Sequence, residues 1–183
     1  MSVPRLDPMP ADRPLTLRSA RTQDVPVIQA LVEPLARERV LLQKEAVAYY
    51  EAIQEFVVAE EADGTLAGFG ALHVMWQDIA EVRTLAVSEA HRGTGVGHLI
   101  IEELLGRARA VGVERVFCLT FEVEFFRRHG FEVMADQSAV DPEVYAELLR
   151  STDEGVAEFL DLARVKPNTL GNTRMIKQLD RSA

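Results

Sequence analysis

The sequence predicts an α+β domain around a mostly antiparallel sheet, and three observations carry that prediction. Apolar runs at residues 56–59, 66–75 and 81–87, separated by short turns, read as an antiparallel meander. The period then changes, with Ile100, Ile101, Leu104, Leu105 and Ala108 at helical spacing. A further apolar run at 113–119 follows at once, which places one β-helix-β unit at the centre.

The elements follow in order. Residues 1–14 hold four prolines and no apolar stretch, which reads as a disordered leader and neither a signal peptide nor a membrane anchor. A short strand is expected at 15–18. Thr22 or Asp24 can cap the helix that carries Val27, Ile28, Leu31, Val32 and Leu35, with Pro26 in its first turn. A loop at 40–42 and a second helix over 45–54 precede the meander, whose first turn is Asp63-Gly64. Gly112 ends the long helix, and Gly130 stops a short one over 123–129. A strand at 131–134, helices opened by Asp141-Pro142 and by Thr152 or Asp153, and a last strand at 174–179 complete the chain. Residues 15–183 thus form one domain, with a helical acidic segment at about 136–165.

Composition narrows function. The chain has 183 residues, a net charge of −9 and one cysteine. An internal disulfide is impossible, and the acidic balance argues against nucleic acid. No apolar run reaches the roughly 20 residues that cross a bilayer. Residues 122–161 hold eleven Asp and Glu against three Arg. The rest of the chain is therefore nearly neutral. The acidic segment reads as a solvated helical face, with a partner-facing surface as the other reading.

The most informative stretch is His91-Arg92-Gly93-Thr94-Gly95-Val96-Gly97-His98, which follows a strand and opens a helix. Glycines let backbone approach a ligand, and a helix start offers unpaired N–H groups. Together with Arg92 they form a pyrophosphate cradle. A P-loop needs Gly-Lys-Ser/Thr where this chain has His98-Leu99, and the spacing is not that of a dinucleotide fingerprint. Arg-x-x-Gly-x-Gly fits, through Arg92, Gly95 and Gly97.

With the preceding strand Glu81-Val82-Arg83-Thr84-Leu85-Ala86-Val87, this loop resembles motif A of the GNAT acetyltransferases. Phe125-Phe126-Arg127-Arg128-His129-Gly130-Phe131 resembles the family's late helix-Gly-Phe stretch. The resemblance implies a GNAT fold, a mixed sheet with helices on both faces and a splayed central strand pair. It implies acetyl-CoA as co-substrate, its pyrophosphate held by Arg92, Gly93, Thr94, Gly95, Val96, Gly97 and His98. Its pantetheine arm would lie along Leu85, Ala86 and Val87, with Phe126 nearby. A narrower likeness, over residues 80–131 and at Asn172-Thr173-Arg174, is to amino-acid N-acetyltransferases, the N-acetylglutamate synthases of arginine biosynthesis, in their short stand-alone form.

Acetylating an α-ammonium needs a base and an oxyanion donor. Glu81, at the head of the central strand, matches the family's base, and an amide at Leu85 or Ala86 is placed for the oxyanion. By strand parity Glu81, Arg83 and Leu85 share a face. Lys44, Arg83 and Arg174 are candidate cations for substrate carboxylates, and Thr120, Asn172 and Thr173 candidate polar contacts. Phe125 and Phe126 stand where many relatives place a tyrosine acid, so water is left to protonate the thiolate. Gly171 replaces an arginine common in relatives, which admits glutamine beside glutamate. Cys118, mid-strand in an apolar run, reads as a buried inert thiol. His73, His91, His98 and His129 show no metal-ligand spacing, and no metal is expected. The resulting expectation is a cytoplasmic enzyme making N-acetylglutamate from acetyl-CoA and L-glutamate, without membrane or nucleic-acid partners; a homodimer is left open. A GNAT enzyme for another amine (a protein N-terminus, a polyamine or a drug) and a non-catalytic acyl-CoA-binding module remain the alternatives.

Overall fold

The computed structural model describes residues 14–42, 44–135, 140–162 and 171–180. Residues 1–13 of the expected leader and the ends of the acidic segment (136–139 and 163–165) lie outside these, as does Pro167. Seven strands among the described residues form one sheet: β1 (Thr16–Ser19), β2 (Phe56–Glu60), β3 (Leu66–Trp76), β4 (Ile79–Val87), β5 (Arg115–Thr120), β6 (Glu132–Val133) and β7 (Thr173–Gln178). Their order is β1-β2-β3-β4-β5-β7-β6, and only β4 and β5 run parallel. The helices are α1 (Val25–Arg37), α2 (Ala46–Glu51), α3 (Val96–Val111), α4 (Val123–Arg128), α5 (Pro142–Leu148) and α6 (Glu154–Phe159).

Strand alternation decides which helix covers which face. Val57, Ala67, Ala80, Val82, Val116 and Cys118 point to the side of α3, which buries Ile100, Ile101, Leu104, Leu105 and Ala108 there. Phe56, Val58, Phe69 and Ala86 point to the other side, against Val25, Ile28 and Val32 of α1 and Tyr49 of α2. Further along that second face, Ile79 and Phe117 meet Leu148 of α5 and Val156 and Phe159 of α6. The second face thus carries two helical units with a space between them. Asp141 and Asp153 each cap a helix, accepting from the N–H of Glu143 and Val156.

Two irregularities in β4 shape the site. It pairs with β5 only at Ile79↔Arg115, Ala80↔Val116 and Glu81↔Phe117, while its pairing with β3 continues to Val87 and that of β5 with β7 to Thr120. The two central strands therefore part just after Glu81. Between the pairs Phe69↔Ala86 and Ala71↔Arg83, Gly70 stands opposite both Thr84 and Leu85. This is a bulge, and Thr84 occupies it at φ 55°, a conformation uncommon for a β-branched residue. The extra residue breaks the expected parity. Glu81 and Arg83 share a face, but Leu85 packs with Val87 toward α3.

Candidate active site

Where β4 and β5 separate, a cleft of about 830 Å³ opens between α2 with its preceding loop and the start of α6. Glu81, Arg83 and Thr84 from β4, His73 from β3 and Leu119 from β5 line its floor. Lys44 and Glu55 stand on one side, and Asp153, Gly155, Glu158 and Asn172 on the other.

Glu81 is 4% exposed, and its Oε2 is buried without a hydrogen-bond partner among the described residues. The nearest cation is Arg83 Nη1, 3.7 Å from Oε2. Burial dominates; Arg83 offsets part of it, Glu158 and Asp153 add smaller repulsions, and the carboxyl is pushed up to about 7. A carboxylate that titrates near the working pH is suited to take a proton from an ammonium. Gly155 presses against it, and a methyl built at that position would overlap the carboxyl group.

Arg83 is engaged by the protein itself. Its Nη1 donates to Asp153 Oδ2 at 2.8 Å and its Nη2 to Glu55 Oε2 at 3.1 Å. His73 Nδ1 lies 2.7 Å from Glu55 Oε1, and its Nε2 lies 3.7 Å from Asp153. Burial alone would raise Glu55 and Asp153. The contacts from His73 and Arg83 outweigh it for Glu55, and those from Arg83 do so for Asp153, so both sit below the usual carboxylate range. Glu158 differs: 5% exposed, it is pushed up to about 7, by burial first and then by Glu154 and Asp153.

The glycine loop lies at the other end of β4. Gly95 is the N-cap of α3 at φ 92°, no side chain caps the helix, and the first helical amides precede any intrahelical acceptor. Arg92, Gly93, Thr94 and His98 are exposed there, with Thr94 Oγ1 donating to the His91 carbonyl at 2.7 Å. Gly97 allows the close packing of Phe125, whose ring is also 5.1 Å from His98. Beyond the Glu81 pair, the edge of β4 through Leu85, Ala86 and Val87 has no strand on its β5 side among the described residues. A backbone edge left without a strand and a helix start left without a cap fit a thioester arm and its pyrophosphate.

Several expected residues lie elsewhere. Phe126 is a core residue, 5% exposed and edge-on to Phe131; Phe125 is the ring facing the loop. Thr120 accepts from the Glu122 N–H at 2.8 Å and does not line the cleft. Thr173 faces away from Arg174 along β7. Arg174 does not line the cleft either: its Nη2 donates to the Phe159 carbonyl at 2.7 Å, placing a cation at the end of α6. Lys44 and Asn172 do line the cleft. Cys118 is buried, which raises its thiol well above the usual value and leaves it unreactive. Glu55, His73, Asp153 and Glu158 escaped the sequence reading. The acidic segment, expected as a solvated face, turns Asp153, Gly155 and Glu158 inward. Among the described residues no three His, Cys, Asp or Glu side chains group to hold a metal, and no helix is long and apolar enough to cross a membrane.

Comparison with known proteins agrees with this geometry. The sequence profile of the acetyltransferase (GNAT) family matches residues 27–131. An amino-acid acetyltransferase of Mycobacterium tuberculosis is 53% identical over 169 residues, 91% of this chain and 96% of that protein. One from Neisseria meningitidis is 32% identical over 124 residues, and there the match spans 28% of the longer relative. Among solved structures, Rv2747 from Mycobacterium tuberculosis in complex with CoA and NLQ superposes with a TM-score of 0.85 at 53% identity, covering 90% of this chain and 99% of that one. N-acetylglutamate synthase from Neisseria gonorrhoeae, complexed with coenzyme A and N-acetyl-glutamate, gives 0.73 at 25% identity, covering 93% and 36%. The chain is a GNAT-family acetyltransferase: a splayed mixed sheet with a capless glycine loop opening α3.

Proposed function

We propose that the chain transfers the acetyl group of acetyl-CoA to the α-amino group of L-glutamate or L-glutamine, as a step of arginine biosynthesis in the cytoplasm. The observation that carries this reading is Glu81, buried with an unpartnered Oε2 where β4 and β5 part. When bound, acetyl-CoA supplies an activated thioester. The amides of Gly95, Val96 and Gly97 with Arg92 hold its pyrophosphate, and the unpaired edge at Leu85–Val87 holds its arm.

Glu81 accepts a proton from the acceptor ammonium, leaving a neutral amine lone pair facing the gap between the strands. An N–H of the stretch after the Thr84 bulge donates to the developing oxyanion. Lys44 offers a substrate carboxylate a cation. Arg83, already held by Glu55 and Asp153, offers it less, whereas Glu55 and Asp153 can accept from an amide. That division supports glutamine as well as glutamate. Residues 15–183 work as one domain in this reading, with 1–14 as a leader.

A second reading, a polycationic amine acceptor, is favoured by the acidic lining of Glu55, Asp153, Glu158 and Glu81. Thiol release from acetyl-CoA, measured across the twenty amino acids and several polyamines, tests both. Turnover with glutamate or glutamine is expected. Turnover with polyamines alone would replace the proposal by the second reading, and none with any amine would refute both.

A further inference from the structure

We infer that Glu158 is the second carboxylate of the acceptor site, docking the acceptor's ammonium alongside Glu81. The inference rests on the amine-acetylating function proposed above.

Residues three apart on a helix share a face, so Glu158 follows Gly155 on the side of α6 turned toward Glu81. Gly155 is pressed so closely on Glu81 that no side chain fits between them. Both carboxylates line the same cleft. The charged groups acting on Glu158 are Glu154 and Asp153 at the start of α6, Lys44 from the loop before α2, and Arg83 from β4. Glu81 feels Glu158 in turn.

A buried carboxylate is costly unless a cation or hydrogen-bond donors meet it. Among the described residues no ion pair involves Glu158, and Glu81 has only Arg83 at 3.7 Å. The short contacts of Arg83 go to Asp153 and Glu55 instead. Two buried carboxyls thus line one cleft, and the Oε2 of Glu81, packed against Gly155, lacks any partner among the described residues. The missing partner is a small cation with several donors, which describes a primary ammonium.

The reaction gives this pair a use. Acetylation forms one C–N bond and breaks one C–S bond. The ammonium nitrogen loses two protons, one ending on the thiol sulfur and one released to solvent. Glu81 takes the first proton, while Glu158 holds the ammonium in place and then the amine it becomes.

The test compares the acceptor amino acid with its desamino analogue, glutarate, in wild type, Glu158→Gln and Glu158→Asp. Acceptor KM, the glutarate inhibition constant and the stabilisation by coenzyme A are measured on each. Removing a charged hydrogen-bond partner implies that Glu158→Gln raises acceptor KM by roughly tenfold or more. Glutarate and coenzyme A binding are expected to stay unchanged, and Glu158→Asp to keep most of the affinity. Equal weakening of acceptor and glutarate, or no weakening of either, would overturn the inference. Should Glu158→Gln not fold, the acceptor-to-glutarate ratio in Glu158→Ala decides in the same way. No turnover of any amine by wild type refutes the proposed function and this inference with it. Turnover by wild type with an unchanged acceptor-to-glutarate ratio in the charge-removing variant refutes this inference alone.

Discussion

Glu81 combines a position readable from sequence with an environment that is not. It heads the strand before the glycine loop, and that context marks it as a base. Its raised pKa depends on Gly155 and Glu158, more than seventy residues on, which no local pattern reveals. Glu81→Gln should lower kcat by about a hundred- to ten-thousand-fold while leaving coenzyme A binding intact, as measured by steady-state kinetics and calorimetry. Gly155→Ala tests the packing behind it. The added methyl must displace the carboxyl, so activity should fall strongly although no charge is changed. An active Gly155→Ala enzyme would show that Glu81 has freedom to move. Leu85 shows a different limit of sequence reading. Period-two alternation put it beside Glu81, but the inserted Thr84 turns it to the opposite face.

At the scale of elements, the meander, the long helix and the loop were legible because their signals are local: alternation, helical spacing and glycines at turns. The acidic helices were legible as helices, through Asp141 and Asp153 as caps. Their inward role was not, because Arg83 meets Asp153 across seventy residues of chain and Glu55 across twenty-eight. Asp153 both caps α6 and anchors Arg83. Asp153→Ala should therefore cost about 1–2 kcal/mol of stability, since it loses a cap and a part-buried ion pair. Chemical denaturation checks that value. The same change releases Arg83 from one carboxylate, so the preference for glutamate over glutamine should rise.

Across the whole molecule, the net charge of −9 at first speaks against anionic ligands. Its excess is concentrated in the segment whose Asp153 and Glu158 form one cleft wall. The sign then has a consequence for stability. Glu81 and Glu158 have folded pKa values near 7, above the ordinary 4.5. Their protonated forms favour the fold, so this stabilisation is full below about pH 4.5 and is lost as pH rises through 7. The penalty above that is on the order of 3 kcal/mol for each group taken alone. Asp24, Glu55 and Asp153 behave oppositely: their values are lowered, and their contribution is lost as pH falls below the carboxylate range. Stability should therefore be greatest in mildly acid solution. Glu158→Gln should gain on wild type at pH 8 relative to pH 5 in parallel denaturation curves. Sites that bind and react commonly trade stability in this way.

The most direct test of the account is the pH dependence of kcat/KM for the best amino-acid acceptor, in wild type and Glu81→Gln. Wild type should lose activity below an apparent pKa near 7, a value belonging to the coupled Glu81 and Glu158 pair. Glu81→Gln should be slow at neutral pH and recover only as rising pH frees the amine without a base. Equal rates and coincident profiles for the two proteins would contradict the assignment of Glu81 as the base.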